Sequence, residues 1–154
     1  MHPQTVLIIE DEESIRSAVH TTLEECGYAV LEAPDGRTGL DLLCRQSDRL
    51  VVLLDLMLPT LSGLKLLQAV GRDPDLAARH VFILFTAARA FTAQELRSYL
   101  PNRRLLSLPK PFSIEQLIAI VEEAAQETVR EGAEVSAGEP PDGAHGQHTD
   151  PRLN

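Results

Sequence analysis

The chain has no tryptophan, two tyrosines and four phenylalanines in 154 residues, so aromatic rings cannot supply most of a packed interior. Any core must come from Leu, Val, Ile and Ala. The two cysteines, Cys26 and Cys44, are too few and too isolated for a disulfide framework or a zinc site, and are expected as small buried hydrophobes in helices. Five scattered histidines (2, 20, 80, 145 and 148) suggest no metal cluster. Positive charge is scarce too. The 14 Lys and Arg stand against 23 Asp and Glu, for a formal net charge of -9, and the Arg residues are dispersed apart from the doublet Arg103-Arg104. Such a surface repels phosphate backbones, so direct nucleic-acid binding is not expected. No apolar run approaches the roughly 20 residues of a membrane span, so no membrane insertion is expected. Met-His-Pro-Gln at the start lacks the basic and apolar segments of a signal peptide, and a cytoplasmic location is expected.

What is present is an alternation. Thr5-Val6-Leu7-Ile8-Ile9 is a short unbroken apolar run, as in a strand buried on both faces. Residues 13–26 then switch to helical spacing, with Ile15, Val19 and Leu23 on one face and Gly27 as the stop. Residues 28–33 read as a second strand, Pro34-Asp35-Gly36 as a turn, and residues 38–45 as a short helix with Leu40 and Leu43 inward. Leu50-Val51-Val52-Leu53-Leu54 is the most apolar strand and ends on Asp55. After Ser62-Gly63 comes a helix through Leu64, Leu67 and Val70, closed by Gly71 and Asp73-Pro74. Residues 81–85 form a fourth strand running into Thr86. Thr92 with Glu95 has the spacing of a capping box and opens a helix to about Leu100. Residues 105–108 form the fifth strand, and Ser113 with Gln116 opens a long helix carrying Ile114, Leu117, Ile118, Val121 and Ala125.

Five strands alternating with five helices specify an α/β fold, a doubly wound (βα)5 parallel sheet of flavodoxin-like order 2-1-3-4-5. The domain is expected over residues 1–131. From residue 132 the chain turns to Gly, Pro, Asp, Glu and Ser, a composition that buries too little apolar surface to offset its ordering entropy; residues 132–154 are expected to be a disordered tail.

In open parallel sheets ligands bind beyond the carboxyl ends of the strands, where strand order reverses. Glu10 and Asp11 follow the first strand, Asp55 the third, Thr86 the fourth and Lys110 the fifth. Taken singly, each has an ordinary explanation: a turn or cap acid, a β-branched strand residue, a solvated amine. Their convergence on one rim favours a site. Crowded carboxylates repel one another and are stabilised together by a divalent cation, and hard oxygen donors suit Mg2+. A carboxylate such as Asp55 can attack phosphorus to form an acyl phosphate, with Lys110 supplying charge and Thr86 a hydrogen bond to a phosphoryl oxygen.

The motifs at these strand ends resemble those of the receiver domain of bacterial two-component response regulators, over roughly residues 5–126. They are Val6-Leu7-Ile8-Ile9-Glu10-Asp11-Glu12, Leu53-Leu54-Asp55-Leu56-Met57-Leu58-Pro59 with Gly63, Phe85-Thr86-Ala87 and Leu108-Pro109-Lys110-Pro111-Phe112. The resemblance implies a phosphoacceptor at Asp55, a Mg2+ site of Glu10, Asp11, Asp55 and the backbone carbonyl of Met57, and phosphoryl contacts from Thr86 and Lys110. It also implies a cis peptide before Pro111. The implied donor is a phosphohistidine of a sensor histidine kinase or a histidine phosphotransfer protein. Ser107 departs from the pattern, since many family members carry an aromatic residue there that turns inward on activation; phosphorylation is expected to shift the loop from Thr86 to Phe91 without that gate. Met57 and Ala88 cannot position an attacking water, so slow autodephosphorylation is expected.

The resulting expectation is a stand-alone receiver, not an enzyme on other substrates, that signals by contact with an unidentified downstream protein. Ile15 and Val19 on the first helix are expected to face the phosphotransfer partner, and Tyr99 and Ile120 to lie exposed on an output face. The alternative is an interaction module that does not use phosphorylation. A Mg2+-dependent phosphohydrolase ranks behind both, because it would need a second acid at position 57.

Overall fold

The structure, a computed structural model, describes residues 2–87, 91–100 and 105–137, with the backbone alone for Ala93 and residues 131–137. The strands are β1 (Thr5–Ile9), β2 (Ala29–Ala33), β3 (Leu50–Leu54), β4 (Val81–Thr86) and β5 (Leu106–Pro109). All pair in parallel, in the order β2-β1-β3-β4-β5. The expected topology is therefore the observed one. β1 and β3 run level: Thr5 pairs with Leu50 and Ile9 with Leu54.

Alternation along the strands sends two apolar sets to opposite faces. Val6, Ile8, Val51, Leu53, Ile83 and Phe85 pack against Val19 and Leu23 of α1 (Glu13–Glu25) and Leu117 and Val121 of α6 (Ile114–Ala137). Leu7, Ile9, Val52, Leu54, Phe82 and Leu84 meet Leu43 of α2 (Gly36–Arg45) and Leu66, Leu67 and Val70 of α3 (Gly63–Gly71). Each fully buried aliphatic side chain contributes roughly 2 kcal/mol. Every residue of β3 is buried, which is why its sequence shows no polar alternation.

The described residues hold six helices, not five. The added α4 (Pro74–Arg79) lies between α3 and β4. Asp73-Pro74 therefore opens a helix as well as closing one. The Asp73 carboxylate accepts the N–H groups of Asp75 and Leu76, both at 3.1 Å, and Pro74 sits where a missing N–H costs nothing. α2 starts earlier than expected, at Gly36, because Asp35 caps it by accepting Thr38 N–H at 2.8 Å. α5 (Ala93–Tyr99) has the expected capping box of Thr92 and Glu95, and Ser113 and Gln116 exchange hydrogen bonds at the start of α6.

Both cysteines are exposed, contrary to expectation. Cys26 follows the last turn of α1, and Cys44 lies beside the Leu43 face of α2. Tyr99 and Ile120 are half-buried against the two cores, whereas Ile114, at the tip of α6, is 59% exposed. α6 continues to Ala137, past the boundary expected at residue 131; residues 138–154, the rest of the expected tail, lie outside the described residues.

Candidate functional site

β1 and β3 are neighbours, and the chain leaves them toward opposite edges of the sheet, so the switch point lies between their carboxyl ends. The next residue on each strand is an acid. Glu10 N–H donates to the Ala33 carbonyl and Asp55 N–H to the Ile9 carbonyl, each at 3.1 Å, which extends the ladder pattern to the acids themselves. Glu10 is 1% and Asp55 5% exposed, while Asp11 faces solvent. One carboxylate oxygen from each of Glu10, Asp11 and Asp55 lies within 4.8 Å of the others.

The expected basic partner reaches them from β5. Lys110 Nζ donates to Glu10 Oε2 at 2.6 Å and to Asp55 Oδ2 at 3.1 Å. It also lies 4.5 Å from the centroid of the Phe85 ring, whose face favours a cation. Phe85 in turn packs on Phe112, centroids 5.1 Å apart. Lys110 N–H donates to the Thr86 carbonyl at 3.2 Å, so the amine and the hydroxyl residue leave the sheet side by side. The Lys110–Pro111 peptide is cis, as the resemblance implied.

The other acid oxygens are held by backbone. Asp55 Oδ1 accepts Met57 N–H at 2.9 Å, and Glu10 Oε1 accepts Glu12 N–H at 3.2 Å. Gly63 lets the start of α3 press on this loop: a Cβ there would collide with the Asp55 carbonyl and the Leu56 backbone. Met57 is 66% exposed.

The electrostatics follow from burial. Desolvation pushes the Glu10 carboxyl above the usual carboxylate range; Lys110 and the Glu12 N–H pull it back only in part, and the Asp55 charge adds to the rise. Desolvation alone would lower the Lys110 ammonium, but hydrogen bonds to Glu10 and Asp55, with their charges, hold it above the ordinary lysine value. The ammonium is thus firmly charged, and it bridges two carboxylates that repel each other.

Behind Thr86 lies a cavity of about 420 Å³, bordered by Leu84, Phe91, Leu96, Leu106, Ser107 and Lys110. Ser107 is exposed on β5. Residues 88–90 of the Thr86–Phe91 loop, Ala88 among them, lie outside the described residues. Glu10, Asp11, Asp55 and Lys110 are therefore brought together as the sequence implied, with Thr86 beside Lys110. The supporting role of Phe85 went unread; its signal was an aromatic residue placed directly before the strand-end Thr86.

The family model of the response regulator receiver domain matches residues 6–122. The uncharacterized transcriptional regulatory protein YrkP of Bacillus subtilis is 34% identical over 116 residues, 75% of this chain and 47% of that protein. The chain spans about half the length of such curated relatives. Among solved structures, a CheY-like receiver domain protein of Methanospirillum hungatei superimposes with a TM-score of 0.66 at 28% identity, over 86% of this chain and 99% of that one. The receiver domain of the Pseudomonas aeruginosa sensor histidine kinase PA1611, with a magnesium ion coordinated in its active site cleft, shares the fold. Its TM-score is 0.68 at 23% identity, over 81% of this chain and 99% of that one. Sheet order, rim chemistry and these likenesses agree: the chain belongs to the receiver domains of two-component response regulators.

Proposed function

We propose that Asp55 accepts a phosphoryl group from a phosphohistidine. The observation that carries this reading is the state of the Asp55 carboxylate: buried at the switch point, held by the Met57 N–H, and met by the Lys110 ammonium at 3.1 Å. An Asp55 oxygen forms the new O–P bond as the P–N bond to the donor imidazole breaks, and that bond's electron pair stays on the ring nitrogen. Lys110, kept charged by its acid neighbours, turns to the phosphoryl oxygens, and the Thr86 hydroxyl donates to one of them.

The donor set fits Mg2+. Glu10, Asp11 and Asp55 would hold it with the Met57 backbone carbonyl, all hard oxygen ligands on one rim. Bound there, Mg2+ supplies positive charge for the phosphoryl oxygens. The magnesium reported in the PA1611 receiver domain supports this assignment.

The phosphohistidine belongs to a sensor histidine kinase or a phosphotransfer protein. Ile15, Val19, Phe112 and Leu117 line an apolar groove of about 270 Å³ between α1 and the start of α6, a surface suited to the helix that carries it. The signal then passes to a downstream protein by contact. Met57 offers no side-chain hydrogen bond to water, so the phosphoryl group turns over slowly, on a scale of minutes or longer.

Intact-mass spectrometry after incubation with Mg2+ and acetyl phosphate tests the reading. A single phosphoryl adduct is expected that needs Mg2+ and is lost in Asp55→Ala. Absence of an adduct with competent phosphohistidine donors would instead favour a module that works without phosphorylation.

A further inference from the structure

We infer that Arg16 is a positioning residue for the acidic pair and so sets the affinity of the site for divalent cation. This rests on the reading of Glu10, Asp11 and Asp55 as a Mg2+ site.

The pair lies in a gap between two hydrogen-bonding systems. The last β1 group in the sheet pattern is the Glu10 N–H, which donates to the Ala33 carbonyl, and α1 bonding begins with Arg16 N–H to the Glu12 carbonyl at 3.0 Å. The carbonyls of Glu10 and Asp11 fall between. A single guanidinium nitrogen spans both: Arg16 Nη1 lies 2.9 Å from the Glu10 oxygen and 3.4 Å from that of Asp11. The far side of the guanidinium is anchored on β2, with Nε 3.8 Å from Glu32 Oε1. Glu32 Oε1 is itself 3.3 Å from His20 Nδ1, one turn further along α1. The Arg16 side chain is only 16% exposed, an unusual degree of cover for arginine and one that restricts the head group to this pose. Arg16 touches neither carboxylate through these bonds. It fixes the two peptide units from which the carboxylates project, and so acts through the ligands.

The sign of the effect separates this role from simple electrostatics. A positive charge beside a cation site weakens cation binding by repulsion, so a pure charge role predicts tighter Mg2+ binding when Arg16 is removed. A positioning role predicts weaker binding, because the ligands lose the geometry that a small octahedral ion demands.

The test is Mg2+ titration of the full chain by calorimetry, with wild type, Arg16→Ala, Arg16→Lys and Asp11→Asn. Backbone amide 15N relaxation of the metal-free forms runs alongside. Arg16→Ala should weaken Mg2+ on the order of tenfold, the usual loss when a ligand's support is removed. Arg16→Lys keeps the charge but not the guanidinium geometry, and should fall between. The amides of Asp11 and Glu12 should gain fast motion in both. Unchanged or tighter binding in Arg16→Ala would overturn the inference, as would Arg16→Lys equal to wild type; the lysine variant decides if alanine prevents folding. Should wild type bind Mg2+ and Asp11→Asn lose it while both Arg16 variants match wild type, only this inference falls. A wild type that takes no Mg2+ would sink it together with the metal site.

Discussion

Glu10, Asp55, His80 and Thr128 are the buried polar residues among those described, two at each end of the sheet. At the amino end, His80 Nδ1 accepts the Leu50 N–H at 3.1 Å, and its other nitrogen faces the Leu43 carbonyl at 3.3 Å. One ring thereby ties the starts of β3 and β4 to the end of α2. Thr128 of α6 donates to Gln4 Oε1 at 2.7 Å, and Gln4 Nε2 reaches the carbonyls of Thr5 and Arg49, both at 3.0 Å. Every one of these contacts is a neutral hydrogen bond, and the Thr128 hydroxyl has a second acceptor in the Ala125 carbonyl at 2.7 Å. The carboxyl end instead buries two like charges that share one ammonium. Satisfied neutral groups hold a fold together; crowded charges make a site that another charge can enter.

Breaking the carboxyl end should abolish chemistry and spare the fold. In Asp55→Asn the phosphoryl adduct should vanish entirely, because the amide is no nucleophile. Folding stability should equal or exceed wild type, since Asn still accepts the Met57 N–H and Glu10 keeps Lys110. Mass spectrometry and urea unfolding check both halves, and a large loss of stability would erase the contrast.

The amino end should behave in reverse. His80→Ala leaves the Leu50 N–H and the Leu43 carbonyl without the ring, at a cost of about 3 kcal/mol in urea unfolding. The adduct should still form on the protein that remains folded.

His80 also makes that end sensitive to acid. Burial, aided by the charges of Arg79 and Arg49, lowers the imidazole from 6.5 to about 4 against a smaller opposing effect of the Leu43 bond. The unfolded ring therefore takes its proton first as pH falls. The stability contributed by the neutral ring is complete above pH 6.5 and lost by about pH 4, an effect of up to about 3 kcal/mol. Urea unfolding of wild type and His80→Asn between pH 7.5 and 4.5 should show the wild type falling more steeply. Thr128→Val is the mildest change and should cost about 1 kcal/mol, the ordinary worth of one hydrogen bond.

Much of the carboxyl end was legible in the sequence because Glu10, Asp55 and Lys110 directly follow strands and Thr86 ends one. Glu10, Asp55, Thr86 and Lys110 are marked by position, and hydrophobic runs find strands well. The amino end was not legible. His80 looks like any isolated histidine, since nothing local reveals that Leu50, thirty residues earlier, will lend it an N–H. Arg16 was missed for a similar reason: its partners are carbonyls, which every residue carries. Helix signals were ambiguous where one residue pair serves two purposes, as Asp73-Pro74 does. The cysteines were misplaced because residue type outweighed their location, one past the end of α1 and one off the buried face of α2.

Ile9 and Leu54 are partners in the sheet, and the acids are the very next residues. The ladder is therefore a ruler for the site. A slip of one residue between β1 and β3 would carry one acid about 3.3 Å along the strand axis and turn its side chain to the opposite face. Such a slip would also send one strand's two apolar sets to the opposite helix layers, so that side chains fitted to α1 and α6 would have to pack against α2 and α3, and misalignment of the acids is penalised by packing on both faces. The alignment of two single carboxylates is thus guarded by the packing of both cores.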